Sequence, residues 1–252
     1  MSPPHASVWR EWRGPLILVV AVFAVWQLLY LIAGEMAMRS PLQTFSYLRG
    51  LLAGDRIWPH IQETARASAL AVLISIAVGL AIGLTLGFRK IAGEIFEPML
   101  VAVYSIPKLT LYPILLLTFG LGLSAKVAFG ALHGIIPIAL FTINAVRNIR
   151  PILIKTGRAL NYTTGEMVWR ILIPAALPEI FTGIRIGVSL TLIGTLLGEM
   201  FASQRGLGYT LMNAMGLHNV DIIMSITFIL IVFAMLVSGV LLAVDRRLHR
   251  RV

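Results

Sequence analysis

Six stretches of this sequence, residues 15–32, 67–88, 100–119, 127–146, 180–201 and 222–244, have the length and apolar character of a bilayer-crossing helix. Such a helix needs about 20 mostly apolar residues, because inside hydrocarbon every backbone N–H and C=O must find its partner within the segment. The second and sixth stretches are clean, whereas the third and fifth carry Lys108 and Arg185. Composition points the same way: of 252 residues, 58% are hydrophobic and 13% charged, against about 25% charged in soluble domains. A soluble fold of this length would leave much of that apolar surface without a core. The expected fold is all-α, a polytopic membrane protein with about six transmembrane helices. The first stretch exceeds the usual signal-peptide core of about 7–15 residues and has no good cleavage site directly after it, so it is read as an uncleaved first helix.

The net charge of +10 comes from 21 Lys and Arg against 11 Asp and Glu, and its distribution matters more than its size. With the N-terminus inside, thirteen basic residues fall on cytoplasmic segments: Arg10, Arg13, Arg89, Lys90, Arg147, Arg150, Lys155, Arg158, Arg170, Arg246, Arg247, Arg250 and Arg251. Four fall outside, at Arg39, Arg49, Arg56 and Arg205. That asymmetry is the positive-inside bias of a membrane protein rather than a nucleic-acid surface. It predicts a multi-pass membrane protein with both termini cytoplasmic. No nucleic-acid partner is expected.

Catalytic chemistry finds no foothold. The chain has no cysteine, and its five histidines (His5, His60, His133, His218 and His249) share no ligand spacing on a helix, so no metal site is expected. No G-x-S-x-G nucleophile motif is present, and Glu199 is the one acid well inside an expected span, which leaves an intramembrane protease without its nucleophile and base. No G-x-x-x-x-G-K-[ST] phosphate loop occurs either. The chain is expected to be no enzyme and to bind no cofactor of its own. Nor does a repeat or flexible linker divide residues 1–252, so a single domain is the simplest reading.

Two polar segments are long enough to carry structure. In residues 35–66, Pro41 precedes Leu42, Phe45, Leu48, Leu51 and Leu52 at near-helical spacing, which predicts a short amphipathic helix along the outer interface. The other is the cytoplasmic segment 147–177. Pro151 suits the first turn of a helix, and Asn161 tolerates the left-handed conformation that ends one. Thr163-Thr164-Gly165-Glu166 then has capping-box spacing, the threonine hydroxyl reaching the amide at Glu166 and the carboxylate reaching back. A second short helix is expected from there, with Met167, Val168, Ile171 and Leu172 on one face, and with Pro174 opposing its continuation. So short a helix–turn–helix is not expected to bury its apolar stripe alone. It either rests on the ends of the spans as a connector or inserts into a soluble partner.

The stretch 160–199, centred on Ile171-Leu172-Ile173-Pro174-Ala175-Ala176-Leu177-Pro178, resembles the permease subunits of ATP-binding-cassette (ABC) importers, above all the sulfonate, taurine, nitrate and pyrimidine-precursor class. Their signature loop reads Glu-Ala-Ala, three residues, Gly, nine residues, Ile-x-Leu-Pro. Ile171, Ile173 and Pro174 fit the second half. In the first half Lys155-Thr156-Gly157 replaces Glu-Ala-Ala, which reverses a charge, and Asn161 replaces Gly. Ser105-Ile106-Pro107-Lys108 with Phe119-Gly120-Leu121-Gly122, and Glu199-Met200 with Gly206-Leu207-Gly208-Tyr209, resemble the family's third and fifth spans. The similarity runs over residues 60–244.

The resemblance implies a type I ABC importer permease-like fold, translocating a small solute by alternating access. It also implies a homodimer with a second copy, an ABC ATPase subunit that hydrolyses ATP outside this chain, and a periplasmic or lipid-anchored substrate-binding protein. The ATPase-coupling loop would comprise Lys155, Arg158, Asn161, Thr163, Gly165, Glu166, Met167, Val168, Ile171, Leu172 and Pro174. An ion-gradient-driven secondary transporter is the alternative, and it would ordinarily show inverted repeats and intramembrane carboxylates that are not evident here. Pathway candidates are Lys108, Pro107 and Glu199. A charge as deep as Lys108 costs roughly 2.5–3.5 kcal/mol and must face protein or water, so it either lines a path or makes an internal contact. Glu199 either pairs with a cation inside the bundle or lines an outer gate. Glycines four apart, at Gly79, Gly83 and Gly87 and at Gly130/Gly134, Gly183/Gly187 and Gly194/Gly198, serve close helix packing within the subunit or at a dimer contact.

Overall fold

The computed structural model describes residues 5–249; Arg250 and Arg251, assigned above to the inner side, lie outside the described residues. In chain order come α1 (His5–Ala33), α2 (Pro41–Ala53), α3 (Trp58–Phe88), α4 (Lys90–Ser105), a 3-10 turn (Lys108–Leu111), α5 (Tyr112–Phe119), α6 (Leu123–Arg147), α7 (Pro151–Ala159), α8 (Thr164–Met167), a π-helical turn (Val168–Leu172), α9 (Ile173–Ala202), α10 (Leu207–Gly216) and α11 (Val220–His249). Five segments are long and apolar enough to cross a membrane: Arg13–Ala33, Trp58–Phe88, Leu123–Arg147, Thr164–Phe201 and Val220–Arg247. The bent pair Lys90–Ser105 and Lys108–Phe119 makes a sixth if it counts as one span.

That third span corrects the expectation of a single stretch over 100–119. Its helix begins at Lys90, stops at Ser105, and resumes after an 89° bend. Pro107, which has no N–H to continue the α4 ladder, stands at the break as the cap of the 3-10 turn. Pro113 does not break anything. It occupies the first turn of α5, where the missing N–H would have been unpaired anyway.

The described residues group into two compact units, one running to Trp58 and including Leu211–Ile229, the other comprising Pro59–Thr210 and the chain from Leu230 onward. In the first unit α2 forms where the outer amphipathic helix was predicted. Its capping box is complete, with the Gln43 amide donating to Ser40 Oγ (3.2 Å) and the Ser40 amide donating to Gln43 Oε1 (2.9 Å). Phe45 meets Phe228 edge-on with centroids 4.9 Å apart, and Trp26 donates its indole N–H to the Arg39 carbonyl (3.0 Å). Arg39 in turn grips Asp221 through both Nε (2.6 Å) and Nη2 (3.1 Å).

The second unit is organised around α6, the most buried of the spans. Glycines let its neighbours approach at backbone distance, where lipid supplies no hydrophobic drive between helices and dispersion must hold them. On α3, Gly79, Gly83 and Gly87 lie against Ile138, Thr142 and Val146; a Cβ at Gly83 would run into Thr142 and stand 2.8 Å from the Ala139 carbonyl. On α9, Gly183 and Gly187 lie against Phe141 and Ile138, while Gly194 lies against His133. These glycine stripes are all used in packing within the chain. Polar ties run beside them: Ser75 and Thr191 share a hydrogen bond of 3.0 Å across the interior. Arg185 of α9 pairs with Asp245 of α11 at 3.4 Å, so this membrane-embedded cation meets a carboxylate.

Candidate functional site

The segment joining α6 to α9 forms the helix–turn–helix that its spacing predicts. After α7, Asn161 adopts φ 54°. The turn lets the Tyr162 amide reach back to the Gly157 carbonyl (3.0 Å) and the Asn161 amide to that of Arg158 (3.0 Å). Asparagine holds this left-handed position because its short polar side chain tolerates it. The capping box follows: the Glu166 amide donates to Thr163 Oγ1 (3.3 Å), while the Thr163 amide and hydroxyl both donate to Glu166 Oε2 at 3.0 Å. Arg170 closes the far side, 3.7 Å from Glu166 Oε1 and over the Tyr162 ring. Replacing Asn161 with glycine is expected to leave the thermal stability of the purified protein unchanged. Asn161→Val should lower it by about 1–2 kcal/mol, since a β-branched residue resists that conformation, and a melting curve in detergent separates the two.

Two expectations for this loop are corrected. Pro174 does not end the second helix. The ladder instead widens into the π turn Val168–Leu172, with the Ile173 amide bonding the Val168 carbonyl, and runs straight into α9 with Pro174 in its first turn. Pro174 has no N–H for the Arg170 carbonyl, and the irregular ladder falls where that donor is missing. The apolar stripe is also partly buried by the loop itself. Gly157 is buried, and a Cβ there would press within 2.7 Å of Met167 Sδ and Ile171 Cδ1. The small residue where the resemblance implies alanine is thus the one on which the second helix seats.

With Met167 and Ile171 turned inward, different side chains are left outside. Trp169 is 74% exposed, Leu160 58% and Ile152 62%, with Lys155 and Arg158 exposed beside them. Trp169 was not among the residues that sequence reasoning singled out. The signal that could have found it is its place on the helix face opposite Met167 and Ile171.

The pathway candidates separate. Pro107 and Lys108 stand together at the 89° bend, where Lys108 donates to the Tyr104 carbonyl (3.0 Å) and caps the Tyr104 ring at 4.5 Å. Among the described residues no carboxylate pairs with it. Glu199 lies elsewhere and is fully buried. Its Oε2 accepts from Thr64 Oγ1 (2.7 Å) and from the Gly208 amide (3.0 Å), and its Oε1 lies 3.4 Å from Lys126 Nζ. Lys126, itself 1% exposed, pairs with Glu63 at 2.9 Å and donates to the Arg205 carbonyl at 3.1 Å. Gly206, at φ 121°, wraps this cluster so closely that any Cβ would overlap the Glu199 carboxylate. No local spacing in the sequence gives Lys126 a partner. His133, the one histidine expected inside a span, donates through Nδ1 to the Phe129 carbonyl at 2.8 Å, as a packed helix residue does.

A bundle of long apolar helices, one of them broken, with a capped helix–turn–helix between the fourth and fifth spans, is the build of an ABC importer permease. The family of binding-protein-dependent transport system inner membrane components matches residues 75–252, and the chain belongs to that family. It is a membrane channel subunit for small solutes rather than an enzyme, and an ABC transporter of this kind works with a separate ATPase. The chain is 34% identical to the riboflavin transport system permease protein RibX of Chloroflexus aurantiacus, over 88% of this chain and 85% of that one. It is 25% identical to the taurine transport system permease protein TauC of Escherichia coli, over 76% and 70%. Among solved structures, a chain of the inward-facing methionine ABC transporter MetNI superposes with a TM-score of 0.63 at 18% identity, covering 77% of this chain and 99% of that one; that likeness concerns the fold.

Proposed function

We propose that two copies of this permease form a homodimer in the bacterial inner membrane, both termini cytoplasmic, with the solute path between them. A periplasmic or lipid-anchored binding protein delivers the solute, and each coupling loop docks on an ATPase subunit that hydrolyses ATP outside this chain. Closure of the ATPase pair moves the loops, and the spans alternate between inward-open and outward-open states. One observation carries this reading. The loop is a self-closed unit, seated on Gly157 and capped at Asn161 and Thr163, that leaves Trp169, Leu160, Arg158 and Lys155 projecting. An exposed tryptophan flanked by basic residues suits docking on a soluble partner. Lys155, standing where the resemblance implies glutamate, calls for an acidic group on the ATPase facing it.

The solute is a small molecule of the sulfonate, nitrate or pyrimidine-precursor kind. Lys108, beside Pro107 and with no carboxylate partner among the described residues, supports an anionic group passing the bend of the third span. Glu199 takes the other role weighed for it, an internal partner for Lys126. The test is uptake into vesicles holding the permease, the ATPase encoded beside it and the binding protein. ATP-dependent accumulation of a labelled sulfonate or pyrimidine precursor is the expected result. Uptake indifferent to ATP but abolished by collapsing the ion gradients would remove the coupling model.

A further inference from the structure

We infer that Arg147 is a positioning residue through which the coupling loop drives the inner half of the broken third span. Arg147 is the last residue of α6, four positions before α7 begins at Pro151. Its guanidinium reaches sideways onto α4, where Nη1 lies 2.7 Å from Glu97 Oε2 and Nη2 is directed at the Lys90 carbonyl (3.4 Å). The site is shaped for it: Gly93 lies beneath the guanidinium, and a Cβ there would overlap Nη2. Both charges are three-quarters covered, at 25% and 29% exposure, so the pair is less screened than a surface one.

The outer half of the same span is fastened separately. Tyr112, at the start of α5, packs on Phe129 with centroids 4.6 Å apart and donates its hydroxyl to the Gly198 carbonyl at 2.6 Å. The bent span is therefore held at an inner and an outer point, and residues 106–111, Lys108 among them, lie between at the bend. A packed pair of rigid helices transmits a displacement only where something joins them. The join nearest the coupling loop is the Arg147–Glu97 pair. When the loop and the inner end of α6 move, α4 moves with them about the break while α5 stays with the outer end of α6 and with α9, and the groups around Lys108 change their spacing.

The inference rests on the loop being the ATPase contact, and the experiment separates the two. Because the chain has no cysteine, Ile95→Cys on α4 and Thr156→Cys on α7 place one pair of spin labels in each protomer at exposed positions. In the reconstituted complex the label separation is expected to hold constant between the ATP-free and ATP-bound states. In the isosteric Glu97→Gln variant it should shift or broaden, with uptake about fivefold lower and ATP hydrolysis within twofold of the parent. Uptake and hydrolysis falling together would mean a merely structural role, and a Glu97→Gln complex that couples normally would overturn the tie outright. A parent complex whose uptake ignores ATP would instead sink the importer reading, and the tie with it.

Discussion

Lys126→Ala is expected to destabilise the purified permease by about 3–5 kcal/mol, the cost of breaking a buried ion pair by deleting one partner. Lys126 is 1% exposed and stands between Glu63 and the fully buried Glu199. Without the ammonium, Glu199 keeps the Thr64 hydroxyl and the Gly208 amide, but its buried carboxylate loses its cation. Glu63, at 23% exposure, can turn toward solvent; Glu199 cannot. The measurement is thermal or denaturant unfolding in detergent of Lys126→Ala beside the double variant Lys126→Met with Glu199→Gln. The double variant removes both charges and keeps similar volumes, so it should regain at least half of the loss, the non-additivity expected of groups that share one network. Equal destabilisation by both would mean that the unpaired Glu199 carboxylate is not the source of the loss.

This cluster marks where reading the sequence stopped. Helix existence followed from local quantities: apolar length gave the spans, and the bias of basic residues gave an orientation. The capping box at Thr163 and Glu166 and the left-handed turn at Asn161 were legible because each depends on residues within four positions of one another. The Lys126 partners lie 63 residues upstream and 73 downstream, and no spacing rule reaches that far. The motif Gly206-Leu207-Gly208 was visible as a motif, yet its physical reason, a backbone wrapped around the Glu199 carboxylate, depends on the same long-range contact. The 89° bend was half legible. Pro107 lacks the N–H that a continuous ladder needs, but Lys90, Glu94 and Glu97 hide the start of α4 from hydropathy. Pro174 misled for a related reason: a proline breaks an isolated ladder, whereas here the chain accommodates it with a π turn and the apolar run of α9 carries the helix on.

Trp169→Asp is expected to lower ATP-driven uptake more than tenfold while leaving membrane abundance and melting temperature unchanged. The residues of the proposed coupling loop occupy two different sides of it. Met167 and Ile171 seat on Gly157, so charging either one would open the loop and confound folding with docking. Val168 and Leu172 are half-buried, and the pair Val168→Asp with Leu172→Asp carries part of the same ambiguity. Trp169 is 74% exposed, on the face away from Met167 and Ile171. Buried in a partner's pocket, a tryptophan typically contributes 2 kcal/mol or more to binding, roughly thirtyfold in affinity. Tryptophan also favours the membrane–water interface, which is a different use of the same side chain, and the ATPase distinguishes them. With docking, Trp169→Asp permease loses its ATPase on purification, and Trp169→Phe retains most of it. With interfacial anchoring, both variants keep the ATPase and normal uptake, and that result would count decisively against this face of the loop as the coupling surface.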